Sequence, residues 1–273
     1  MLLTIRNILN KIKIDYMTYL LLLIGFLTGL FKSLIYLYII VIIHELGHLF
    51  IAILLSWKID KIIIYPFGGY IKFNEIIDKP LIEEFLVSIF GLLFQFIYFF
   101  IIYLLHEKNI VSNDMYLITR KYNFLIFIFN IIPILPLDGY KILNIIFNKI
   151  FNYRLSFNIS LIISIILLIF FIFFLKLYNS IFLILFIINE HKKYIKNKNY
   201  YYNLFLYEKL IYKQNFKSNK YVKSIYNIYR NKNNYIKYNG IYIREYRLLK
   251  KRSRSFLSKS SVTLSANSGS LPL

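Results

Sequence analysis

No cysteine occurs among the 273 residues, which excludes disulfides, thiolate zinc sites and a cysteine nucleophile together. Any metal in this chain must be held by His, Asp or Glu. Acidic residues are also scarce, 13 against 34 Lys and Arg, and the imbalance is local. Residues 1–191 carry a net charge of +4, whereas residues 192–273 carry +17. Charge is missing from several long stretches as well, and about 20 mainly apolar residues suffice for a helix to cross a bilayer. Hydrophobic residues make up 58% of the chain and mean hydropathy is +0.56, more than one soluble core requires. The abundance of Tyr and Asn carries no functional weight, because an AT-rich genome produces the same bias.

These features predict an all-α polytopic membrane protein. About six transmembrane helices are expected, at 17–31, 33–57, 81–105, 122–147, 155–175 and 177–189. Arg6, Lys11 and Lys13 precede the first apolar run as in a signal peptide, but no small-residue cleavage site follows, so that run reads as a retained helix. Six crossings put both termini on one side. The basic tail makes that side the cytoplasm of a bacterial cell membrane. Its charge suits anionic lipid, and nucleic acid is not expected as a partner. The chain divides into a membrane domain at 1–190 and a basic cytoplasmic tail at 191–252, which could form a small domain. At 253–273 the composition suggests disorder or an added remnant. Between the second and third spans, KIDKIIIYPFGGYIKFNE at 58–75 has the pattern of a membrane-associated β-hairpin.

His44-Glu45-Leu46-Gly47-His48 falls inside the second span. Positions i and i+4 share one helix face, so both imidazoles can reach one ion while Glu45 stands beside it to move a proton. With four His and eight Glu in the chain, chance placement yields this pattern roughly one time in a thousand. Each ionisable group at mid-bilayer costs about 3 kcal/mol on insertion scales, so three within five residues imply a bound partner, and Zn2+ suits imidazole and carboxylate. Asp138 is the obvious third ligand. It follows Pro133 and Pro136 in the fourth apolar segment, and broken backbone at membrane depth must line protein or a water-filled cavity.

HELGH in an early span and N-x-x-P-x-x-P-L-D-G from Asn130 to Gly139 together resemble the site-2 protease family of intramembrane metalloproteases. The likeness covers roughly residues 30–150. It implies that His44, His48 and Asp138 hold zinc, that Glu45 is the general base, and that Asn130 is a polar helper. The interval between the motifs already holds a hairpin and a span, so no PDZ domain fits. PFGGYIKF, the six apparent spans and the basic extension are most similar to the subgroup that releases a sporulation sigma factor from its membrane-bound precursor. Leu92 stands where this family usually has proline, and the tail is too short for a pair of nucleotide-binding CBS repeats.

The implied activity is hydrolysis of a peptide bond in a membrane-associated protein substrate, with membrane-bound inhibitory or regulatory proteins as further partners. Ile63, Gly68, Gly69 and Ile71 of the hairpin are expected to bind substrate as a strand edge, because a substrate helix must open before its carbonyls can be reached. The rival readings are a divalent-metal transporter, which needs ligands along a path, and an inactive membrane scaffold, which does not need Glu45. His106 and His191 read as surface histidines, and Glu83 and Glu84 as helix N-terminal acids.

Overall fold

The computed structural model describes residues 11–65, 68–174 and 181–250. Arg6 and the segment 253–273 lie outside the described residues. The chain starts with strand β1 (Ile12–Ile14) and helix α1 (Tyr16–Leu27), whose first turn is capped where the Asp15 carboxylate accepts the Met17 N–H at 3.2 Å. Helix α1 has 12 residues, about 18 Å at 1.5 Å each, so the first expected span is not one continuous crossing helix. Gly29, at φ 75°, turns the chain into α2 (Phe31–Leu54).

Strands β2 (Ile59–Tyr65) and β3 (Gly68–Phe73) form the expected antiparallel hairpin. Beyond them come α3 (Leu81–Glu107), α4 (Asn113–Ile131), α5 (Asp138–Ile150), α6 (Tyr153–Phe174) and α7 (Ile181–Lys196). Among the described residues three helices, α2, α3 and α6, are long and apolar enough to cross a membrane. The fourth expected span is interrupted where its prolines imply, and two helices flank the break. Pro133 and Pro136 have no N–H to give a helix, and α4 and α5 stop on either side of them. The sixth also differs: α7 continues past 189 to Lys196, into the charged region.

Helices α2 and α3 pack with their backbones close, because a Cβ at Gly47 would collide with the Phe90 carbonyl. Ile51, Ala52 and Val87 fill that interface. Ile134, in the proline-broken segment, is fully buried against Leu168 of α6 and Ile187 of α7.

Two small sheets qualify the all-α expectation. In the first, β2 is central, with β1 parallel on one side and β3 antiparallel on the other. β1 is only three residues long, below what alternation can reveal. The tail is ordered over its described length. Helix α8 (Lys198–Ile211) packs on a second sheet of β4 (Asn219–Val222), β5 (Asn233–Tyr238) and β6 (Ile241–Arg244), around Phe205, Val222, Ile228 and Ile236. Asn239 and Gly240, both at positive φ, turn the β5–β6 hairpin.

The tail grips the segment between β3 and α3. The Glu208 carboxylate accepts the Ile77 N–H at 2.6 Å, and Asp78 accepts the Asn231 N–H at 2.9 Å and pairs with Lys209 at 2.6 Å. Arg230, buried, donates to Glu84. Glu84 therefore does more than favour a helix N-terminus, and Glu83 accepts the Trp57 indole N–H at 2.9 Å.

Candidate metal centre

The i, i+4 spacing on α2 sets His44 and His48 on one face, as the sequence requires. Asp138 arrives from the other side as the first residue of α5. Its Oδ2 lies 2.9 Å from His44 Nε2 and 3.0 Å from His48 Nε2, and the two Nε2 atoms are 3.1 Å apart. All three side chains are buried. Three donor atoms at such separations suit one ion about 2.0–2.1 Å from each. Nitrogen and carboxylate donors with no thiolate are a zinc-compatible set.

The ring nitrogens facing away from this point fix the tautomers. His48 Nδ1 is 2.6 Å from the Val87 carbonyl oxygen, which can only accept, so Nδ1 carries the hydrogen. Gln95 Nε2 donates to the Asn123 carbonyl at 2.7 Å, which turns Gln95 Oε1 towards His44 Nδ1 at 3.2 Å. Both Nε2 lone pairs are thereby aimed at the Asp138 side of the site. Gly91 completes the pocket. A Cβ there would lie 2.5 Å from His48 Cε1 and 2.9 Å from His44 Cε1.

Glu45 is half-buried, and its carboxylate lies within 4.8 Å of the ligating atoms of both histidines. The hairpin reaches it directly. A Cβ on Gly69 would fall 2.5 Å from Glu45 Cδ and 2.8 Å from Oε1, so only glycine lets β3 pass so near the carboxylate. Register then decides which backbone groups are free. The Ile62 N–H bonds to the Lys11 carbonyl and the Ile64 carbonyl accepts the Asp15 N–H, so both residues face β1. Their partners across the hairpin, Ile71 and Gly69, therefore point their N–H and C=O outward, away from β2. Ile63, opposite Tyr70, lies in the central strand with its backbone turned to β3, so it cannot present an edge. Gly68 begins β3 at the turn.

Asn130 sits half-buried near the end of α4, and the described hydrogen bonds do not join it to the histidines or Asp138. The broken segment is held instead by groups the sequence did not single out for this role. The Leu135 N–H donates to Ser164 Oγ at 2.8 Å, the Ser164 hydroxyl donates to His191 Nε2 at 2.8 Å, and His191 Nδ1–H donates to the Ile187 carbonyl at 2.9 Å. His191 is thus 4% exposed, not a surface histidine, because it pairs with polar groups between α6 and α7. His106 is partly buried and stacks on Tyr116 with centroids 4.3 Å apart. Leu92, standing in the place of a proline, is buried in an unbroken α3. Lys141, one turn beyond Asp138, donates to Asp138 Oδ1 at 2.8 Å.

The family model of peptidase family M50 matches residues 32–111. Among curated proteins, the chain is 36% identical over 141 residues to the stage IV sporulation protein FB of Bacillus subtilis, covering 52% of this chain and 49% of that protein. It is 32% identical over 113 residues to a zinc metalloprotease of Methanocaldococcus jannaschii, covering 40% of this chain and 32% of the other. The chain thus spans half or less of the length of these relatives. Among solved structures, the site-2 protease from Methanocaldococcus jannaschii aligns with a TM-score of 0.52 and 28% identity, over 67% of this chain and 89% of that one. The segment matched by the family model contains the HELGH motif, Val87, Gly91 and Gln95, so the residues around the two histidines are the part of the chain that is similar to peptidase family M50.

Proposed function

We propose that the chain is an intramembrane zinc metalloprotease that hydrolyses a peptide bond of a membrane-associated protein. The observation that carries this reading is the convergence of His44, His48 and Asp138 on one point with Glu45 alongside. In the proposed site the two imidazoles and Asp138 would hold Zn2+, which would supply Lewis acidity when bound. Glu45 takes the proton of that water as its oxygen attacks the carbonyl carbon, and returns it to the departing nitrogen as the C–N bond breaks. A carboxylate and an amine result. Gln95 and the Val87 carbonyl keep the imidazoles oriented, which Glu45 alone could not do.

A substrate helix hides its carbonyls in internal hydrogen bonds, and each freed group costs several kcal/mol in hydrocarbon unless it is paired again. The outward N–H and C=O groups of Gly69 and Ile71 can pair with an opened substrate as an added strand, beside Glu45. The likeness to stage IV sporulation protein FB favours a sigma-factor precursor as that substrate, with membrane-bound regulatory proteins as partners. Both termini are proposed to lie in the cytoplasm because the +17 tail follows the positive-inside bias, and that charge would add attraction to anionic lipid.

The test pairs metal analysis with a cleavage assay on a sigma-factor precursor from the same genome, co-reconstituted in vesicles. His44→Ala and Asp138→Asn should lose zinc and activity together. Glu45→Gln should keep zinc and lose cleavage. Full cleavage by Glu45→Gln would remove the proposed mechanism.

A further inference from the structure

Asp138 offers two oxygens, and they are divided between different partners. Oδ2 faces both histidine Nε2 atoms, at 2.9 and 3.0 Å, while Oδ1 accepts from Lys141 Nζ at 2.8 Å. The two residues stand three apart on the first turn of α5, so the pairing is built into one rigid element. The Lys141 side chain is 53% exposed, and a cation at membrane depth implies water on that side. Asp138 and Glu45 are the two carboxylates whose charges act on it.

This division matters to any ion held there. A carboxylate can bind through one oxygen or chelate through two, and a catalytic zinc site keeps three protein ligands and one open position for water. Chelation by Asp138 would add a further oxygen beside that water and raise the coordination number above four. We propose that Lys141 is a positioning residue that occupies Asp138 Oδ1, restricts Asp138 to one ligating oxygen and so keeps the site four-coordinate, with water in its fourth position. This role rests on the zinc reading of His44, His48 and Asp138.

Cobalt tests it without relying on turnover, because four-coordinate Co2+ absorbs visible light far more strongly than five-coordinate Co2+. Full-length protein in detergent is stripped with a chelator, loaded with Co2+ and compared with Lys141→Met and Lys141→Arg. Wild type should give the intense four-coordinate spectrum. Lys141→Met should still bind Co2+ but with the weak bands of higher coordination, and its zinc-loaded form should cleave about 10- to 100-fold more slowly, the usual range for partners of metal ligands. Lys141→Arg, which can still donate to Oδ1, should restore the intense spectrum and most of the rate. An unchanged spectrum in Lys141→Met, or a changed one that Arg does not restore, overturns the role of Lys141 and leaves the zinc site standing. Absence of Co2+ binding by wild type overturns the zinc reading and the role of Lys141 with it.

Discussion

Gly91→Ala adds one methyl group and should disable the site without unfolding the helices. The new Cβ would lie 2.5 Å from His48 Cε1 and 2.9 Å from His44 Cε1, where ordinary carbon contacts need about 3.5 Å or more. One ring must move by about 1 Å, whereas a metal site tolerates about 0.2 Å in its ligand distances. His48 cannot yield easily, because its Nδ1–H is tied to the Val87 carbonyl at 2.6 Å on the same helix as Gly91. Overpacking of this kind costs about 1–3 kcal/mol, and if all of it falls on the metal-bound form, zinc affinity drops about 5- to 150-fold. Competition with a chromophoric chelator measures that drop, and circular dichroism checks that helix content is kept. Gly47→Ala is the contrast: its methyl meets the Phe90 carbonyl rather than an imidazole, so it should lower thermal stability first. Zinc affinity in Gly91→Ala equal to wild type would refute the description of this pocket.

Ser164→Ala leaves the Leu135 N–H and His191 Nε2 without their partner and should cost about 1–3 kcal/mol, read as a lower unfolding temperature, with weaker zinc binding because the broken segment delivers Asp138. Ile71→Pro removes an outward N–H from the edge of β3 and should slow cleavage about 2- to 10-fold while zinc stays bound, the worth of one hydrogen bond; substrates with helix-breaking residues at the cut site should suffer less. Burial pushes the Glu208 carboxyl up to about 7 from its ordinary 4.5, so between those values the folded tail holds a proton that the unfolded tail has released. Stability from this group is full below about pH 4.5 and is lost as pH rises through about 7, and burial moves Glu245 in the same direction. Limited proteolysis of the tail should therefore quicken from about pH 6 to about pH 8, and Glu208→Gln should flatten that dependence.

The residues proposed to hold the ion and move the proton were legible because ionisable groups are costly in a membrane. Two histidines and a glutamate within five apolar positions, and an aspartate after two prolines, are too expensive at that depth to stand without an ion or a proton to handle. The hairpin was legible through its glycines and β-branched run. What supports these groups was less so. Gln95 and Val87 act through a hydrogen bond to the far side of an imidazole, which depends on how α3 packs on α2 and leaves no periodic trace. His191 reads as a boundary residue because charges follow it, and only the approach of Ser164 on α6 shows why it is buried. Strand β1 is three residues long, too short for alternation to reveal, whereas the break in the fourth span was legible in Pro133 and Pro136. The tail's order depends on partners far away in sequence, such as Arg230 with Glu84.

If zinc held by His44, His48 and Asp138 activates a water whose proton Glu45 moves, then the oxygen of that water must appear in the product. Cleavage of the co-reconstituted sigma-factor precursor in water enriched in oxygen-18, followed by mass spectrometry of the products, detects it. Wild type should produce one new carboxyl terminus carrying a single heavy oxygen, and both chelated wild type and Glu45→Gln should produce none. Equal labelled product from chelated protein, or from Glu45→Gln, would show that peptide hydrolysis here needs neither the zinc nor the glutamate.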